Sequence, residues 1–164
     1  MLGWNSYSKD MEFEYLIYEK KGRIRHADIA LSLKNCERPK ILVEIKPVQH
    51  KILGSSQIFK YIRDAGVTYG VITNGKELKI YDRRYVRHNY KRGRKLFSLK
   101  LEDFVRYNDV LSLLSKHAVE KGMLDKLAQA YHSKYYWKWY RSNKTGELAR
   151  DKYELPLKFA RLNM

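Results

Sequence analysis

The dipeptide Asn74-Gly75 is the feature that most constrains how this chain can fold. It separates two runs of strand-forming residues with alternating apolar positions, "VTYGVIT" and "ELKIYD". Asn-Gly favours the tight turns that join two antiparallel strands, because both residues tolerate the backbone angles that such turns require. The dipeptide therefore predicts a β-hairpin, and any fold proposed for the chain must contain it.

Three strand patterns and one helix pattern precede this hairpin. Three runs that are separated by turn residues have strand character, either from β-branched and aromatic residues or from alternating apolar positions, namely 12–20, 23–33 and 41–46. Ser56 then precedes apolar residues at helical spacing and Gly66 follows them, which predicts a helix of about ten residues. The order of elements is strand, strand, strand, helix, strand, strand. This order predicts a mixed α+β domain that is complete by about residue 100.

The rest of the chain changes to a helical period. Apolar residues between positions 101 and 122 predict one or two amphipathic helices, and a further helix is predicted over 124–140. We therefore divide the chain into a core, residues 1–100, and a helical, aromatic-rich extension, residues 101–164. The rings of residues 131–141 favour packing on the sheet or a homodimer face, with base stacking as the alternative.

The charge balance of the chain predicts a polyanionic partner. Lys and Arg total 34 against 18 Asp and Glu, a net charge of +16, and such an excess is typical of proteins that bind nucleic acid. The single cysteine, Cys36, excludes an internal disulfide and a cysteine-based zinc site. No apolar run approaches the ~20 residues that span a bilayer, and no signal peptide is recognisable, so we expect a soluble cytoplasmic protein without a membrane partner.

Two carboxylates, Asp28 and Glu44, and the ammonium group of Lys46 stand in the two most apolar strand patterns. Glu44 and Lys46 are two apart, so they share one face of their strand, and we expect Val43 and Ile45 to point into the core. If this strand pairs with the preceding one, Asp28 lies beside Glu44, and two converging carboxylates suit Mg²⁺. A metal with an ammonium group beside it suits phosphodiester hydrolysis. The alternative is an ordinary solvated face of a hairpin.

These residues resemble the PD-(D/E)xK nuclease superfamily. Asp28 is followed by Glu44-Ile45-Lys46 and then by Gln57 and Tyr61 on the predicted helix. The runs "LGWN", "ADIALSL", "ILVEIKP", "SQIFKYIRDAGVTYGVITNG" and "LKIYD" are most similar to the N-terminal nuclease domain of type I restriction enzyme R subunits. The resemblance implies a restriction-endonuclease-like mixed β-sheet flanked by helices.

The resemblance also implies roles at the reacting centre. Asp28, Glu44 and the backbone carbonyl of Ile45 would be ligands of Mg²⁺, for which Mn²⁺ would substitute, and Lys46 would be the water-orienting base. Relatives usually carry a further acidic metal ligand on a helix before the "LGW" segment, and we expect no such helix in this chain. Glu14 is the candidate that would replace it, and an ordinary strand carboxylate is the alternative reading of that residue.

Two further implications concern the substrate. By resemblance, Gln57 and Tyr61 would contact the nucleic-acid strand near the phosphate that is cut, or they serve only in the packing of their helix. The chain contains no G-x4-GK-[ST] phosphate-binding loop. We therefore expect a free-standing nuclease module without a translocating motor.

The segment "YDRRYVRHNYKRGRK", residues 81–95, interleaves basic and aromatic residues. Basic side chains neutralise phosphates and aromatic rings stack on unpaired bases, so this composition is typical of a loop that binds DNA. A solvated end of a hairpin is the alternative. The predicted DNA-binding side chains are Arg83, Arg84, Arg87, Lys91, Arg92 and Arg94.

These patterns together favour one function over two others. We expect a Mg²⁺-dependent deoxyribonuclease, with DNA as substrate. One alternative is a nucleic-acid-binding module that keeps the same fold without catalysis. The other is a nuclease directed at RNA or at branched DNA, for which the arrangement of residues would be the same.

Overall fold

The computed structural model describes residues 2–19, 22–52, 56–84, 94–104 and 108–132. The chain divides into two compact units. One unit is Trp4–Leu101, and the other comprises Met1–Gly3 and Glu102–Met164. The proposed packing of the C-terminal extension on the core, or between two copies, stays a prediction.

The described residues of Trp4–Leu101 form a six-stranded mixed sheet whose spatial order follows the chain. One helix, α1 (Ser56–Asp64), connects the third and fourth strands. The strands are β1 (Met11–Tyr18), β2 (Ile24–Leu31), β3 (Ile41–Ile45), β4 (Tyr69–Thr73), β5 (Glu77–Asp82) and β6 (Arg94–Lys100). Neighbouring strands are antiparallel except for β3 and β4, which are parallel. The predicted α+β class is confirmed.

The hairpin predicted from Asn74-Gly75 is present between β4 and β5. The last strand pair is Thr73 opposite Leu78, and the Asn74 amide donates to the carbonyl of Glu77 at 3.2 Å. Gly75 is the first of the two central loop residues and has φ +79°. A residue with a Cβ is strained at this angle, so the glycine accounts for the sharpness of the turn.

The structure adds a strand that the sequence patterns did not predict. β6 pairs with β5 along its length, from Asp82 opposite Arg94 to Glu77 opposite Lys100. Its residues 96–99 are all buried, so this strand lacks the apolar and polar alternation by which strands are recognised. We predicted only a basic segment up to residue 95, because the Arg and Lys residues there obscured the start of the strand.

The faces of β3 are the reverse of our prediction. Glu44 is 5% exposed, whereas Ile45, which we expected in the core, is 50% exposed, and Val43 is half-buried. The reason is that α1, the crossover between the parallel strands β3 and β4, lies on the Glu44 face. Leu42 on that face is fully buried in one cluster with Ile58 of α1.

Helix α1 approaches the sheet closely at Gly70 of β4. A Cβ built on Gly70 would lie 2.5 Å from Cγ1 of Ile58 and 3.0 Å from Cγ2 of Ile62. Both isoleucines are fully buried, so neither has room to move. Because Gly70 has no side chain, α1 can lie close to β4, the neighbour of the strand β3 that carries Glu44 and leads into Lys46.

We expect Gly70→Ala to lower the free energy of unfolding by about 1–3 kcal/mol, the usual effect of overpacking a filled core. Urea denaturation followed by circular dichroism measures this loss. The matched experiment repeats the substitution in an Ile58→Ala background, where the nearest atom is absent and the loss should shrink. An equal loss in both backgrounds would contradict the close contact between α1 and β4.

The second unit is helical in the part that the structure describes. Four short helices follow β6, namely α2 (Leu101–Phe104), α3 (Asn108–Ser112), α4 (Lys116–Glu120) and α5 (Met123–His132). The sequence predicts one or two amphipathic helices before Gly122. Ser115 separates α3 from α4, because it has extended backbone angles and caps α4, with its side chain accepting the amide of Ala118.

Helix α5 corresponds to the helix predicted over 124–140. Its last described residue is His132, and residues 133–140 lie outside the described part of the chain. The prediction for the aromatic segment 131–141 therefore falls largely outside that part. None of the described helices has the length and apolar character needed to cross a membrane.

Candidate active site

The pairing of β2 with β3 brings the two carboxylates together. Ile29 lies opposite Val43, and continuing this antiparallel register by one residue places Asp28 across from Glu44. Directly opposed residues share a face of the sheet. Oδ2 of Asp28 also accepts a hydrogen bond from the amide of Ile45, which ties the side chain to the end of β3.

Lys46 and two residues of α1 complete a hydrogen-bonded network around Glu44. Nζ of Lys46 donates to Oε1 of Glu44 at 2.6 Å and to Oε1 of Gln57 at 2.7 Å. Nε2 of Gln57 donates to the same Glu44 oxygen at 2.6 Å and to the hydroxyl of Tyr61 at 2.9 Å. Gln57 and Tyr61 lie one helical turn apart, so both reach the same side of α1.

One oxygen of Glu44 is buried without a donor. Among the described residues, Oε2 of Glu44 has no hydrogen-bond partner, although its neighbour Oε1 accepts two bonds. Burial raises the pKa of the Glu44 carboxyl, and the charge of Asp28 raises it further, while the hydrogen bonds from Lys46 and Gln57 act in the opposite direction. A buried carboxylate oxygen without a partner is unfavourable, and a cation would compensate it.

The oxygen atoms at this point suit a hard divalent cation. Mg²⁺ prefers carboxylate and carbonyl oxygens and keeps several waters. The unpartnered oxygen of Glu44, the carboxylate of Asp28 and the carbonyl of Ile45 are groups of this kind at the end of β3. No cluster of three or more Asp, Glu, His or Cys side chains that could hold a metal occurs within the described ranges. The donor set fits an ion that retains water and leaves positions for a phosphate oxygen.

Glu14, the proposed replacement for a missing acidic ligand, lies in an irregular part of β1. It falls between the pairs Phe13 with Ile29 and Tyr15 with Ala27, and it has φ +52°. Its side chain is 72% exposed, with one oxygen 3.9 Å from the His26 ring. The structure does not gather Glu14 into an acidic cluster with Asp28 and Glu44. Its role as a ligand stays a prediction.

We expect Glu14→Gly to raise the free energy of unfolding by about 1 kcal/mol, because glycine adopts a positive φ without the clash of a Cβ. Thermal denaturation without divalent metal measures this gain, with Phe13→Gly as the control that loses stability. Lower stability in Glu14→Gly would contradict the irregular backbone of β1. Cleavage by the same variant tests the ligand role, which unchanged activity would exclude.

Arg83 and Arg84, two of the predicted DNA-binding residues, contact the protein itself. Nε of Arg83 donates to the carbonyl of Val67 at 2.8 Å. The guanidinium of Arg84 donates to the fully buried carboxylate of Asp82 at 2.8 Å and to the hydroxyl of Tyr69 at 2.6 Å. These contacts hold Arg83 and Arg84 at the end of β5, and the role of the two side chains at phosphates stays a prediction.

The structure describes little of the other four basic residues that were predicted to bind DNA. Arg87, Lys91 and Arg92 lie outside the described residues, and Arg94 begins β6, where its backbone pairs with Asp82. The structure instead shows a cleft of about 660 Å³ that is lined by Lys46, Gln57 and residues 49–52, among others. We did not predict this cleft, because no motif marks residues 49–52 and their place beside Lys46 depends on long-range contacts.

The comparison with protein families decides the relationship of this chain. The family described as "Type I restriction enzyme R protein N terminus" matches residues 5–96, more than half of the chain. The chain belongs to this family. The range matched by the R protein N-terminal family contains the positions of Asp28, Glu44, Lys46, Gln57 and Tyr61. No curated protein matches the chain. The relationship predicted from the sequence pattern is confirmed, and membership of the wider PD-(D/E)xK superfamily stays a prediction.

Proposed function

We propose that this chain is a metal-dependent nuclease that hydrolyses phosphodiester bonds in DNA and has a restriction-endonuclease-like fold of the PD-(D/E)xK type. The observation that carries the proposal is the unpartnered, buried oxygen of Glu44 beside Asp28 and Lys46. Membership of a restriction enzyme family supports DNA as the substrate.

The metal site would consist of Asp28, Glu44 and the carbonyl of Ile45. Bound there, Mg²⁺, or Mn²⁺ in its place, would supply a Lewis acid to the phosphate and lower the pKa of water. Asp28 and Glu44 hold negative charge at adjacent positions of neighbouring strands, which is unfavourable until a cation is present. The carboxylates therefore favour binding of a cation.

Lys46 is placed to act on the nucleophile and on the developing negative charge. An ammonium group has three N–H donors, and within the described part of the chain two of them reach Glu44 and Gln57. The third can donate to a water molecule or to a phosphate oxygen. A fixed positive charge beside the phosphate stabilises the transition state, because charge accumulates on the phosphate oxygens there.

Gln57 and Tyr61 hold Lys46 in this position. Gln57 accepts from Lys46 and donates to Glu44, and Tyr61 accepts from Gln57 and is itself buried. The buried ring supports the packing role for Tyr61. Contact of Gln57 with the DNA strand remains an implication of the resemblance.

One observation favours the alternative of an inactive nucleic-acid-binding module. Within the described ranges the site has only two acidic side chains, because Glu14 does not join them. A net charge of +16 would support DNA binding without any catalysis.

Incubation with nucleic acids distinguishes these functions. The substrates are labelled linear, circular, single-stranded and branched DNA and an RNA strand, each with Mg²⁺, with Mn²⁺ and with a chelator. We expect cleavage of DNA with either metal and none with the chelator. Binding without cleavage under every condition would identify the inactive module, and preferential cleavage of RNA or junctions would identify the structure-specific nuclease.

DNA binding without metal should weaken steeply as salt rises and should depend little on base sequence. We expect the double variant Arg87→Ala with Lys91→Ala to flatten the slope of log affinity against log salt by up to about 0.9 for each lost contact with duplex phosphate. The control is Lys9→Ala with Lys34→Ala, which removes the same charge from exposed positions. Equal slopes in both double variants would place the binding surface outside residues 81–95.

A further inference from the structure

The segment that follows Lys46 borders the candidate active site. Residues 47–51 are exposed, and the amide of His50 donates to the carbonyl of Pro47 at 2.9 Å in a turn. Ile52 at the end of the segment is buried. Residues 49–52 line the 660 Å³ cleft together with Lys46. Residues 47–52 therefore form one wall of the cleft. This wall begins directly after Lys46, the proposed water-orienting residue.

The chemistry of this cleft suits a nucleotide. Lys46, Lys51 and His50 are the basic residues that line the cleft, and Ile52 and Ile72 are its apolar lining residues. None of the described residues that line it is acidic. Ammonium groups bind phosphate and apolar surface accepts the face of a base, so both parts of a nucleotide find complementary groups.

Two side chains from the β4–β5 hairpin hold this wall in place. Nδ2 of Asn74 donates to the carbonyl of His50 at 2.8 Å, and Nζ of Lys79 donates to the carbonyl of Ile52 at 2.7 Å. Asn74 is only 6% exposed. Its Oδ1 accepts two amides of its own turn, at 2.8 and 3.0 Å, so the amide group of one side chain connects the hairpin to the wall.

We propose that Asn74 and Lys79 are positioning residues that hold residues 47–52 as one wall of a nucleotide-binding subsite. This subsite receives the nucleotide next to the phosphate that is cut. The proposal rests on the nuclease function proposed above for the same site. A wall that is already ordered loses less conformational freedom when DNA binds, so the two side chains contribute affinity without touching the substrate.

Two variants remove these contacts selectively. Asn74→Asp keeps the oxygen that accepts the turn amides but replaces the NH₂ group with a second oxygen, which cannot donate to the carbonyl of His50. Lys79→Met keeps most of the aliphatic stem and loses the bond to Ile52. Lys51→Ala removes the proposed phosphate contact of the wall itself.

Two matched controls disturb the same hairpin and leave the wall attached. Thr73→Val removes the hydroxyl that donates to the carbonyl of Glu77 at 2.9 Å and accepts the amide of Gly75 at 3.2 Å. Glu77→Gln removes the charge that pairs with Lys79 at 3.2 Å but leaves the bond from Lys79 to the wall. A purely structural role of the hairpin would affect these controls as much as the test variants.

The measurements are Kd for a short fluorescein-labelled single strand without divalent metal, and KM and kcat for cleavage with Mn²⁺. We expect Asn74→Asp and Lys79→Met each to raise Kd and KM by about two- to tenfold, the effect of one lost hydrogen bond, with kcat within about twofold. Their slopes against salt should equal that of wild type, because neither side chain contacts phosphate. Lys51→Ala should flatten that slope by about 0.7.

Unchanged Kd in both Asn74→Asp and Lys79→Met would overturn the proposal, as would equal weakening in the two controls. If the slope of log affinity against log salt is unchanged in Lys51→Ala, residues 47–52 do not contact a phosphate and the subsite does not lie at this wall. The Kd series does not require cleavage. If wild type cuts no substrate with either metal, the proposed nuclease activity fails, while Kd still decides whether the wall binds a nucleic-acid strand.

Discussion

Glu44→Gln is expected to lower DNA cleavage by at least about 10³-fold while the protein stays folded. Glutamine keeps an oxygen that accepts from Lys46 and Gln57, so the hydrogen-bonded network remains. It loses the negative charge that would hold the metal, and loss of such a ligand acts mainly on the transition state. The measurement is kcat/KM with Mn²⁺, with circular dichroism as the test of folding.

The matched control is Glu77→Gln, which removes a carboxylate from the same sheet outside the Glu44 network. It should cleave as wild type does. Activity within about tenfold of wild type in Glu44→Gln would contradict the assignment of Glu44 to the reacting centre, because a true ligand contributes more than that.

Stability should change in the opposite direction to activity. Burial raises the pKa of the Glu44 carboxyl, so this carboxyl loses its proton at a lower pH in the unfolded chain than in the folded protein. The contribution of Glu44 to stability is thus present below the usual pKa of 4.5 and is lost as pH rises through the raised value. Without metal, Glu44→Gln should therefore be at least as stable as wild type at pH 7 and lose that advantage in acid.

Mg²⁺ or Mn²⁺ is expected to raise the melting temperature of wild type, because an ion that binds only the folded state stabilises it. At a metal concentration about 100 times Kd the gain is about 2.7 kcal/mol, which shifts the melting temperature by several degrees or more in a domain of this size. Differential scanning fluorimetry across a metal titration measures the shift and needs no cleavage.

Three variants sharpen this experiment. Asp28→Asn and Glu44→Gln should lose most of the shift, because each removes one of the two charged ligands. Lys46→Met should keep it and still lose cleavage, because Lys46 acts on the nucleophile and does not bind the ion. The same shift in wild type and Asp28→Asn would place the metal elsewhere, and a lost shift in Lys46→Met would contradict the separate role of the lysine.

Sequence analysis predicted the family and the residues of the candidate site. It did not predict which face of β3 is buried or which residues Arg83 and Arg84 contact. The spacing of Glu44 and Lys46 sufficed to put them on one face, since side chains alternate along any strand. Which face is buried depended on the side that α1 covers, and here the prediction was wrong. The roles of Arg83 and Arg84 were equally open, because their partners Val67 and Tyr69 lie on another strand or the loop before it.

Local rules of the chain determined the hairpin at Asn74-Gly75, the helix that begins near Ser56 and the α+β class, because turn, cap and strand preferences act over a few residues. The tertiary structure alone decided that β3 and β4 are parallel and that β6 is the edge strand next to β5. It likewise decided that Glu44 is buried and that one of its oxygens has no partner among the described residues. It also decided that Asn74 reaches His50 across 24 positions of the chain. These features depend on contacts between segments that are far apart in the sequence, and local sequence patterns do not predict such contacts.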